Sequence, residues 1–571
     1  MFIRNSASPV LQMNIAQVYL RLVIFVLLLF DSLPAYPNEN NSNIADPQKL
    51  IASGEYDSAI QILEAKILNS PENWETYQLL FDTCEIRGDS EKIKHYSLLL
   101  QKLYRQGKIN SAPAYTALAL FASKKSPKDA FYFFEKAHHS DSKYVPAHIR
   151  AFYLYTDLQA FTQANNELKK AFAIEPENIE VLLACAISSI NNSERNVALE
   201  YLAKVLSSEN KDNFFTISTA NALKAGVYLI EENYQKCHEE IQSSLKKNPK
   251  DIFALQILAC AYDVQGKTQN RDTIIQNICD INHANSDSYN QLSDFAKNKY
   301  RFDKASDWAK KAIENNSDSW KGYYRLGMSL LMLGEEKEGY KHLDKSFNMN
   351  PFNQSAYNTL LVLDKDLKNG EIALLKSANF AVKIHKDEVD IIWPYLEPAL
   401  ENAWTRFTSE FSFKPKGPDE YENKILVLFL PTHQEFAART CGLPALNAAG
   451  ACFGKVILLP SPRFSQNSPI QGIDWSSTIE HEFLHVLTLQ KTNYLIPRWF
   501  TEGISSEYEK DPHNDWKLIF SSIYQSNSIP ATEDLESTFV NGNSVSIIAS
   551  AYYQSALVCR FMKENYGSDK I

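Results

Sequence analysis

The sequence has no excess of basic residues and no hydrophobic stretch long enough to span a bilayer. Its 58 lysines and arginines are outnumbered by 68 aspartates and glutamates, which gives a formal net charge of -10. Because a phosphate backbone attracts a basic surface, we expect no nucleic acid as the main partner. The longest apolar run, residues 22–30, is far shorter than the ~20 residues of a membrane helix. We therefore expect a protein whose body is neither nucleic-acid-binding nor embedded in a membrane.

The apolar run near the N-terminus indicates export. Arg4 and Arg21 precede it, and Ala35 follows a few residues after it. A positively charged start, a short apolar segment and a small residue near the cleavage point are typical of a secretory signal peptide. We therefore predict that residues 1–35 direct the protein to the periplasm or the exterior. The alternative is an uncleaved N-terminal anchor, in which case this segment alone would contact a membrane.

The eight cysteines include no CxxC pair and no Cys/His cluster, so their spacing predicts no cysteine-ligated metal. Export would permit disulfides. Cys441 and Cys452 bracket a short loop that contains glycine, and they are the pair that we expect to form a bridge. Several of the others lie in helical runs, where a buried thiol behaves as a small hydrophobic residue.

Most of the chain before residue 371 is predicted to be helical and repetitive. Pro71, Pro176, Pro249 and Pro351 each end a predicted helix, and their separations are close to multiples of the ~34-residue unit of a two-helix repeat. One unit and its predecessor show the small and large residues of a tetratricopeptide repeat at matching positions: Leu326, Gly327, Leu330, Gly339, Leu343 and Ser346, and before them Tyr289, Leu292, Ala296, Ala305, Ala309 and Ala312.

Small residues let the two helices of a unit touch, and larger residues fill the space between units. Residues 46–370 therefore resemble a tetratricopeptide repeat array of about eight to nine units. Such an array presents a concave surface that suits the binding of a protein partner.

A different pattern begins near residue 371. Short runs rich in apolar residues predict strands at 380–384, 425–430 and 455–459. Helical patterns follow at 390–411, 474–489 and 498–509. Strands followed by helices indicate an α+β domain, which we expect to comprise residues 371–571.

His481-Glu482-Phe483-Leu484-His485 is an HExxH motif on one of these predicted helices. Residues i and i+4 share a helix face, so both imidazoles can reach one ion. Zinc accepts neutral histidine nitrogen, and a catalytic zinc site keeps one position open for water. Glu482 can take the proton of that water as a general base. Apolar residues around the motif indicate a buried helix, which argues against incidental histidines on a solvated surface.

A third ligand is needed beside the two histidines. The longer metzincin pattern would require glycine and histidine where the chain has Thr488 and Lys491. Glu502 follows His485 by seventeen residues, has aromatic residues before it and Gly503 after it, and lies on the next predicted helix. A glutamate there completes a His, His, Glu site of the thermolysin kind.

The HExxH motif together with Trp499-x-x-Glu502-Gly503 resembles the gluzincin metallopeptidases. It resembles most the peptidase MA-like domain that is often found beside tetratricopeptide repeats in exported bacterial proteins. The resemblance covers about residue 380 to the C-terminus. It implies a thermolysin-like fold, a Zn²⁺ cofactor and a protein or peptide substrate. It also implies that the predicted strand 455–459 edges the cleft and pairs with an extended substrate.

The resemblance further implies a role for a tyrosine near the C-terminus. Tyr552 and Tyr553 lie in a segment that matches a family segment whose first tyrosine faces the zinc. Tyr552 would then donate a hydrogen bond to the developing oxyanion, whereas the alternative is a core aromatic on a buried helix. Members of the family usually continue further, so the resemblance also predicts that part of the cleft wall lies beyond Ile571.

The chain departs from the family at Ser506, where some relatives carry an acid that orients a ligand histidine. Glu507 and Glu509 are the candidates for this supporting role. Elsewhere, His138 and His139 lie side by side in a repeat helix. A solvated face is more common than a metal ligand in such a position, so we predict no metal there.

We therefore predict an all-α tetratricopeptide-like solenoid followed by an α+β thermolysin-like zinc metallopeptidase domain. One alternative is a repeat scaffold whose zinc domain is structural or inactive. The presence of Glu482 argues against it, because a structural site needs no general base. The other alternative is a zinc amidase that acts on a cell-wall substrate.

Overall fold

A computed structural model describes most of the chain after its N-terminal segment. The predicted signal peptide, residues 1–35, lies outside the described residues. Within them, no helix is both long and apolar enough to cross a membrane. The described residues are 46–192, 194–207, 214–442, 450–461, 475–509, 514–525, 529–541 and 545–567.

The described chain before residue 371 is helical, and the helices from Pro47 to Ile281 pack against their neighbours in sequence. Alternate helices begin at Ile252, Asp287, Trp320 and Gln354, which are 33 to 35 residues apart. The predicted all-α tetratricopeptide-like repeat is therefore confirmed for this region. Its helices are α1 Pro47–Ala52, α2 Tyr56–Asn69, α3 Trp74–Arg87, α4 Ser90–Arg105, α5 Ala112–Ser123, α6 Pro127–Ser140, α7 Val145–Asp157, α8 Phe161–Ile174, α9 Ile179–Asn191, α10 Arg195–Ser207, α11 Phe214–Ile230, α12 Tyr234–Leu245, α13 Ile252–Val264, α14 Thr268–Ile281, α15 Asp287–Asn298, α16 Phe302–Asn315, α17 Trp320–Leu333, α18 Glu336–Met349 and α19 Gln354–Leu367.

The recurring prolines mark helix starts as well as helix ends. Two residues after each of the four stands an asparagine or aspartate that caps the next helix. The side chain of Asn73, for example, accepts a hydrogen bond from the backbone N–H of Thr76 at 3.1 Å, and that of Asn353 accepts one from Ala356 at 3.0 Å. Such a cap stabilises a helix by about 1 kcal/mol, so the Pro-x-Asn/Asp pattern fixes where these four units begin.

The chain divides into two compact units. The repeat unit comprises the described residues of 46–295 and 307–322, and the C-terminal unit comprises those of 296–306 and 323–567. The sequence pattern places a boundary near residue 371, where helical repeats give way to strands. By compactness, however, the helices from Tyr323 onward belong with the strands.

The C-terminal unit contains a five-stranded mixed sheet in the order β1-β2-β3-β5-β4. Strands β2, β3 and β5 run parallel to one another, while β1 and β4 are antiparallel to their neighbours. The prediction that strand 455–459 forms the edge is therefore wrong, because β5 is paired on both sides and the two-residue β4 is the edge. The strands are β1 Ile372–Lys376, β2 Phe380–His385, β3 Ile425–Leu430, β4 Ala451–Cys452 and β5 Val456–Pro460.

Helices cover both faces of this sheet, which explains why its central strand β3 is apolar at every position. Leu426, Leu428 and Leu458 pack with side chains of α17, α18 and α19 on one face. Val427 and Ile457 pack on the other face with helices that include the one carrying the HExxH motif. This is an α+β arrangement, as predicted, whereas its thermolysin-like character remains a prediction. The remaining helices are α20 Val389–Glu410, α21 His433–Cys441, α22 Trp475–Lys491, α23 Arg498–Tyr508, α24 Asn514–Gln525, α25 Leu535–Asn541 and α26 Val545–Tyr566, with short 3-10 helices at Lys386–Glu388, Asp419–Tyr421 and Thr532–Asp534.

A buried polar cluster joins α18 to the sheet inside the C-terminal unit. The carboxylate of Glu336 accepts hydrogen bonds from Lys383 of β2, from Tyr421 at 2.8 Å and from Arg439 of α21 at 3.3 Å. Burial alone would raise the pKa of Glu336, but the charges of Lys383 and Arg439 lower it below its usual value. The last repeat helices are thus held to the sheet by charge as well as by apolar packing.

Candidate metal centre

Two consecutive helices supply the residues of the HExxH pattern and the expected third ligand. Helix α22 carries His481, Glu482 and His485, and helix α23 carries Glu502. The turn between the helices contains Asn493 and Tyr494, both in the left-handed region with φ of 50° and 60°. The two helices pack against each other after this turn. The seventeen-residue separation in sequence therefore becomes a direct contact in space.

The donor atoms of the three predicted ligands converge. The Nε2 atoms of His481 and His485 are 3.1 Å apart, and Oε2 of Glu502 lies 3.5 Å from the first and 3.2 Å from the second. A tetrahedral zinc ion with ligands at about 2.0–2.1 Å separates its donors by about 3.3 Å. The triangle of donors thus fits zinc in size, and two imidazoles with one carboxylate are donors that zinc prefers.

Each histidine is oriented through its other ring nitrogen. Nδ1 of His481 contacts a carboxylate oxygen of Glu509, and Nδ1 of His485 lies 2.8 Å from the hydroxyl of Thr501. The Thr501 hydroxyl contacts that of Thr488 at 2.7 Å. Contacts of this kind keep the proton on Nδ1 and leave the Nε2 lone pair for an ion.

The two carboxylates proposed for the supporting role are in different places. Glu509 contacts His481, so it occupies the position of a carboxylate that orients a ligand. Glu507 instead accepts a hydrogen bond from Nε of Arg560 at 2.9 Å. Helix α23 ends at Tyr508, and the chain leaving the helix brings Glu509 back toward α22.

The carboxylates of the site differ in their electrostatic surroundings. Burial alone would raise the pKa of Glu502, but His485 and His481 lower it well below its usual range. Burial raises the pKa of Glu482, and the two histidines oppose this only in part. Glu502 is therefore held as an anion, as a ligand must be, while Glu482 has a greater affinity for a proton, as a general base requires.

The backbone before the edge strand β4 lies directly against Glu482. A Cβ atom built on Gly450 would lie 2.5 Å from Oε1 and 2.8 Å from Cγ of Glu482, which is closer than side chains pack. Glycine therefore permits the approach of the edge strand to the carboxylate. The sequence analysis did not identify Gly450, although glycine beside a strand signals close approach of the backbone.

Tyr552 lies in the same part of the C-terminal unit. Its ring packs edge-on against Phe539 with centroids 4.9 Å apart. Burial raises the pKa of Tyr552 well above its usual value, and Glu502 raises it further. Tyr552 is thus buried within electrostatic range of the donors. The ring of Tyr553 packs against Phe520 with centroids 5.2 Å apart.

Arg498 is a further residue at this site that the sequence analysis missed. It begins α23, and its Nε atom lies 3.6 Å from Oε1 of Glu502, the carboxylate oxygen that does not face both histidines. The spacing of four residues from Glu502 puts both on one helix face. The four-residue spacing of Arg498 and Glu502 was visible in the sequence. Many exposed Arg/Glu pairs on helices have the same spacing, so it did not by itself indicate a site residue.

Only one cysteine of the predicted bridge between Cys441 and Cys452 has a described side chain. Cys452 is a free, buried thiol in β4, and its sulfur accepts a hydrogen bond from the backbone N–H of Gly454 at 3.2 Å. Its side chain packs with Ile457 and the helices on that face of the sheet. The prediction rested on closeness in sequence, which does not determine the face of a strand on which a thiol lies.

Comparison with known proteins finds likeness only among solved structures. No protein-family model matches the chain, and no curated protein matches it. The chain is similar over 53% of its length to a chain of the APC/C hetero-tetramer Cut9-Hcn1, with 13% identity and a TM-score of 0.35, and spans 59% of that chain. It is similar over 50% of its length to a tetratricopeptide repeat protein from Parabacteroides merdae ATCC 43184, with 18% identity, a TM-score of 0.29 and 96% of that chain covered. It is similar over 62% of its length to a chain of a human IFIT1 dimer with m7Gppp-AAAA, with 12% identity, a TM-score of 0.34 and 88% of that chain covered. Likeness at these TM-scores does not determine the activity of this chain.

Proposed function

We propose that this chain is a zinc-dependent peptidase whose repeat region binds a protein partner or substrate. The convergence of His481, His485 and Glu502 carries the proposal, because their three donor atoms lie 3.1 to 3.5 Å apart. Bound there, Zn²⁺ would polarise a carbonyl oxygen and lower the pKa of a water molecule toward ~7.

The residues around the donors have complementary tasks in the proposed reaction. Glu482, whose pKa is raised by burial, accepts the proton of the attacking water and passes it to the leaving amine. Tyr552 is neutral, because burial raises its pKa well above its usual value, and it donates a hydrogen bond to the oxygen that becomes negatively charged. Glu509 and Thr501 hold the two imidazoles in their orientation.

The edge of the sheet supports an extended peptide as the substrate. Strand β4 is antiparallel to β5, and no described strand pairs with its other side. A peptide added there as a further strand is held by backbone hydrogen bonds that do not depend on its side chains. Because Gly450 touches Glu482 just before β4, a peptide on this edge passes the general base.

We also propose that the protein is exported through residues 1–35, on the charge and length of the N-terminal apolar run. The helical repeats suit the binding of a protein.

Two substitutions test the proposed chemistry. We expect Glu482→Gln to keep the zinc content of the wild type and to lose peptide hydrolysis, because glutamine fills the same space without accepting the proton. We expect His485→Ala to lose one zinc ion per chain together with activity. Metal analysis of the purified full chain and hydrolysis of a peptide library provide the two readouts.

The same experiment separates the other functions considered for this site. Peptidoglycan fragments offered beside the peptide library distinguish a cell-wall amidase from a peptidase. If the wild type binds zinc but hydrolyses neither substrate, and if Glu482→Gln behaves as the wild type does in every assay, the C-terminal unit is a structural zinc domain. The repeat region would then be the functional part, as a protein-binding scaffold.

A further inference from the structure

The repeat unit contains a second convergence of two histidines and a glutamate. His138 of α6, His148 of α7 and Glu167 of α8 place one donor atom each within 4.8 Å of the other two. The prediction of a solvated face for His138 and His139 is therefore wrong for the first of them. His139 is exposed on α6, whereas the His138 ring turns inward and stacks on that of His148, with centroids 4.1 Å apart.

The two histidine nitrogens both lie near one carboxylate oxygen, which is the third donor. Oε2 of Glu167 lies 2.7 Å from Nδ1 of His148 and 3.6 Å from Nε2 of His138. These two separations bracket the distance of about 3.3 Å between the donors of a tetrahedral zinc ion. Lys170 contacts the other oxygen, Oε1, at 2.7 Å, so the lysine occupies one side of the carboxylate and leaves Oε2 for the histidines.

The contacts of His148 require a proton or a metal ion between its Nδ1 atom and Glu167 if its Nε2 atom is protonated. Its Nε2 lies 3.2 Å from the carbonyl oxygen of Ser142, which can only accept, so Nε2 carries a proton. In the neutral ring the Nδ1 atom then presents a lone pair to Oε2 of Glu167. Two lone pairs at 2.7 Å repel each other unless a proton or a metal ion lies between them. A backbone carbonyl that fixes one nitrogen is also the usual partner of a metal-binding histidine.

His138 supplies the second nitrogen. Its Nε2 atom is buried and makes no hydrogen bond, although it is close to a carboxylate oxygen. Burial and the neighbouring His148 lower the pKa of His138 to about 4. Because its Nε2 atom lies beside Oε2 of Glu167 without a hydrogen bond, it is available as the second nitrogen donor.

We propose that His138, His148 and Glu167 bind a zinc ion in the repeat unit, at a three-ligand site that is separate from the proposed catalytic site. The rings are nearly parallel, with 13° between their planes. A lone pair lies in the plane of its ring, so one ring turns out of the stack when the ion binds. His138 turns, because it is the more exposed ring and its Nε2 has no hydrogen bond to break. The ion connects three consecutive helices.

Zinc content of the full chain tests this site. After equilibration with zinc and removal of the unbound ion, we expect about two zinc ions per wild-type chain and about one in His138→Ala and in His148→Ala. His139→Ala is the matched control, since this exposed histidine is the sequence neighbour of His138 and its Nδ1 contacts the carbonyl oxygen of Glu135. It is expected to retain both ions.

Thermal unfolding in a His485→Ala background removes the contribution of the catalytic site. Zinc is expected to raise the Tm of this variant, because an ion that binds only the folded state stabilises it, and adding His138→Ala is expected to abolish the rise. His138→Ala removes a partly exposed ring, so it remains informative if the more buried His148→Ala fails to fold. If His138→Ala keeps the wild-type zinc content and the zinc-dependent rise in Tm, the cluster holds a proton and the proposal is refuted. Zinc lost in His138→Ala but not in His485→Ala would support this site and refute the peptidase proposal.

Discussion

Replacing Gly450 with alanine should disable the general base without removing the metal. The added Cβ would lie 2.5 Å from Oε1 and 2.8 Å from Cγ of Glu482, whereas ordinary contact begins at 3.4 Å. The carboxylate must therefore move by about 1 Å, and a displacement of that size at a catalytic group costs about 10²-fold in rate.

We therefore expect Gly450→Ala to lower kcat/KM for peptide hydrolysis about 100-fold, which corresponds to about 2.7 kcal/mol of transition-state stabilisation. Zinc content should be unchanged, because the three atoms nearest to the added methyl group all belong to Glu482 and not to a predicted ligand. The measurements are steady-state kinetics on a peptide cleaved by the wild type, metal analysis and thermal unfolding.

The matched control is Gly226→Ala in the repeat unit. There the added Cβ would meet only Cδ1 of Ile257 at 3.6 Å, an ordinary contact, so activity should stay at the wild-type level. The reasoning is refuted if Gly450→Ala cleaves the peptide as fast as the wild type. It is also refuted if zinc is lost together with activity, because the substitution would then act on the ligands and not on Glu482.

Three further substitutions have separate expected results. Glu509→Gln should weaken zinc binding about 10–100-fold in a competition titration, because His481 loses its carboxylate partner, whereas Glu507→Gln should not. Tyr552→Phe should lower kcat about 10²-fold and leave zinc content unchanged. If the variant keeps the kcat of the wild type, Tyr552 is a core aromatic residue without a role in the reaction. Glu336→Gln should destabilise the C-terminal unit by about 3–5 kcal/mol in urea unfolding, because Lys383 and Arg439 lose their shared partner. The folded state lowers the pKa of Glu336, so the stabilisation by this carboxylate should be lost as the pH falls below its ordinary pKa of 4.5. If the difference in free energy of unfolding between the wild type and Glu336→Gln does not change with pH, Glu336 is not the charged partner of Lys383 and Arg439.

The convergence of His481, His485 and Glu502 could be predicted from the sequence because its geometry is local. Two histidines four residues apart share a helix face whatever the helix packs against. Glu502 could be found because the helix that follows a short turn must pack beside its predecessor. The bounds of these helices, Trp475–Lys491 and Arg498–Tyr508, also lie close to those predicted.

What the sequence could not predict depends on contacts between distant segments. Strand β4 has two residues, too few to show any periodicity, so the sheet edge was assigned to the longer β5. The contact of Gly450 with Glu482 joins residues 32 positions apart. In the repeat unit, adjacency drew attention to His139, while the partners of His138 lie on the next two helices.

X-ray diffraction at the zinc absorption edge, from crystals of the zinc-loaded full chain, tests the central claim most directly. We predict an anomalous peak about 2.0–2.1 Å from Nε2 of His481, Nε2 of His485 and an oxygen of Glu502, with Glu482 beside the remaining coordination position. A map without a peak among these atoms, or with Glu502 turned away from the histidines, would contradict the account.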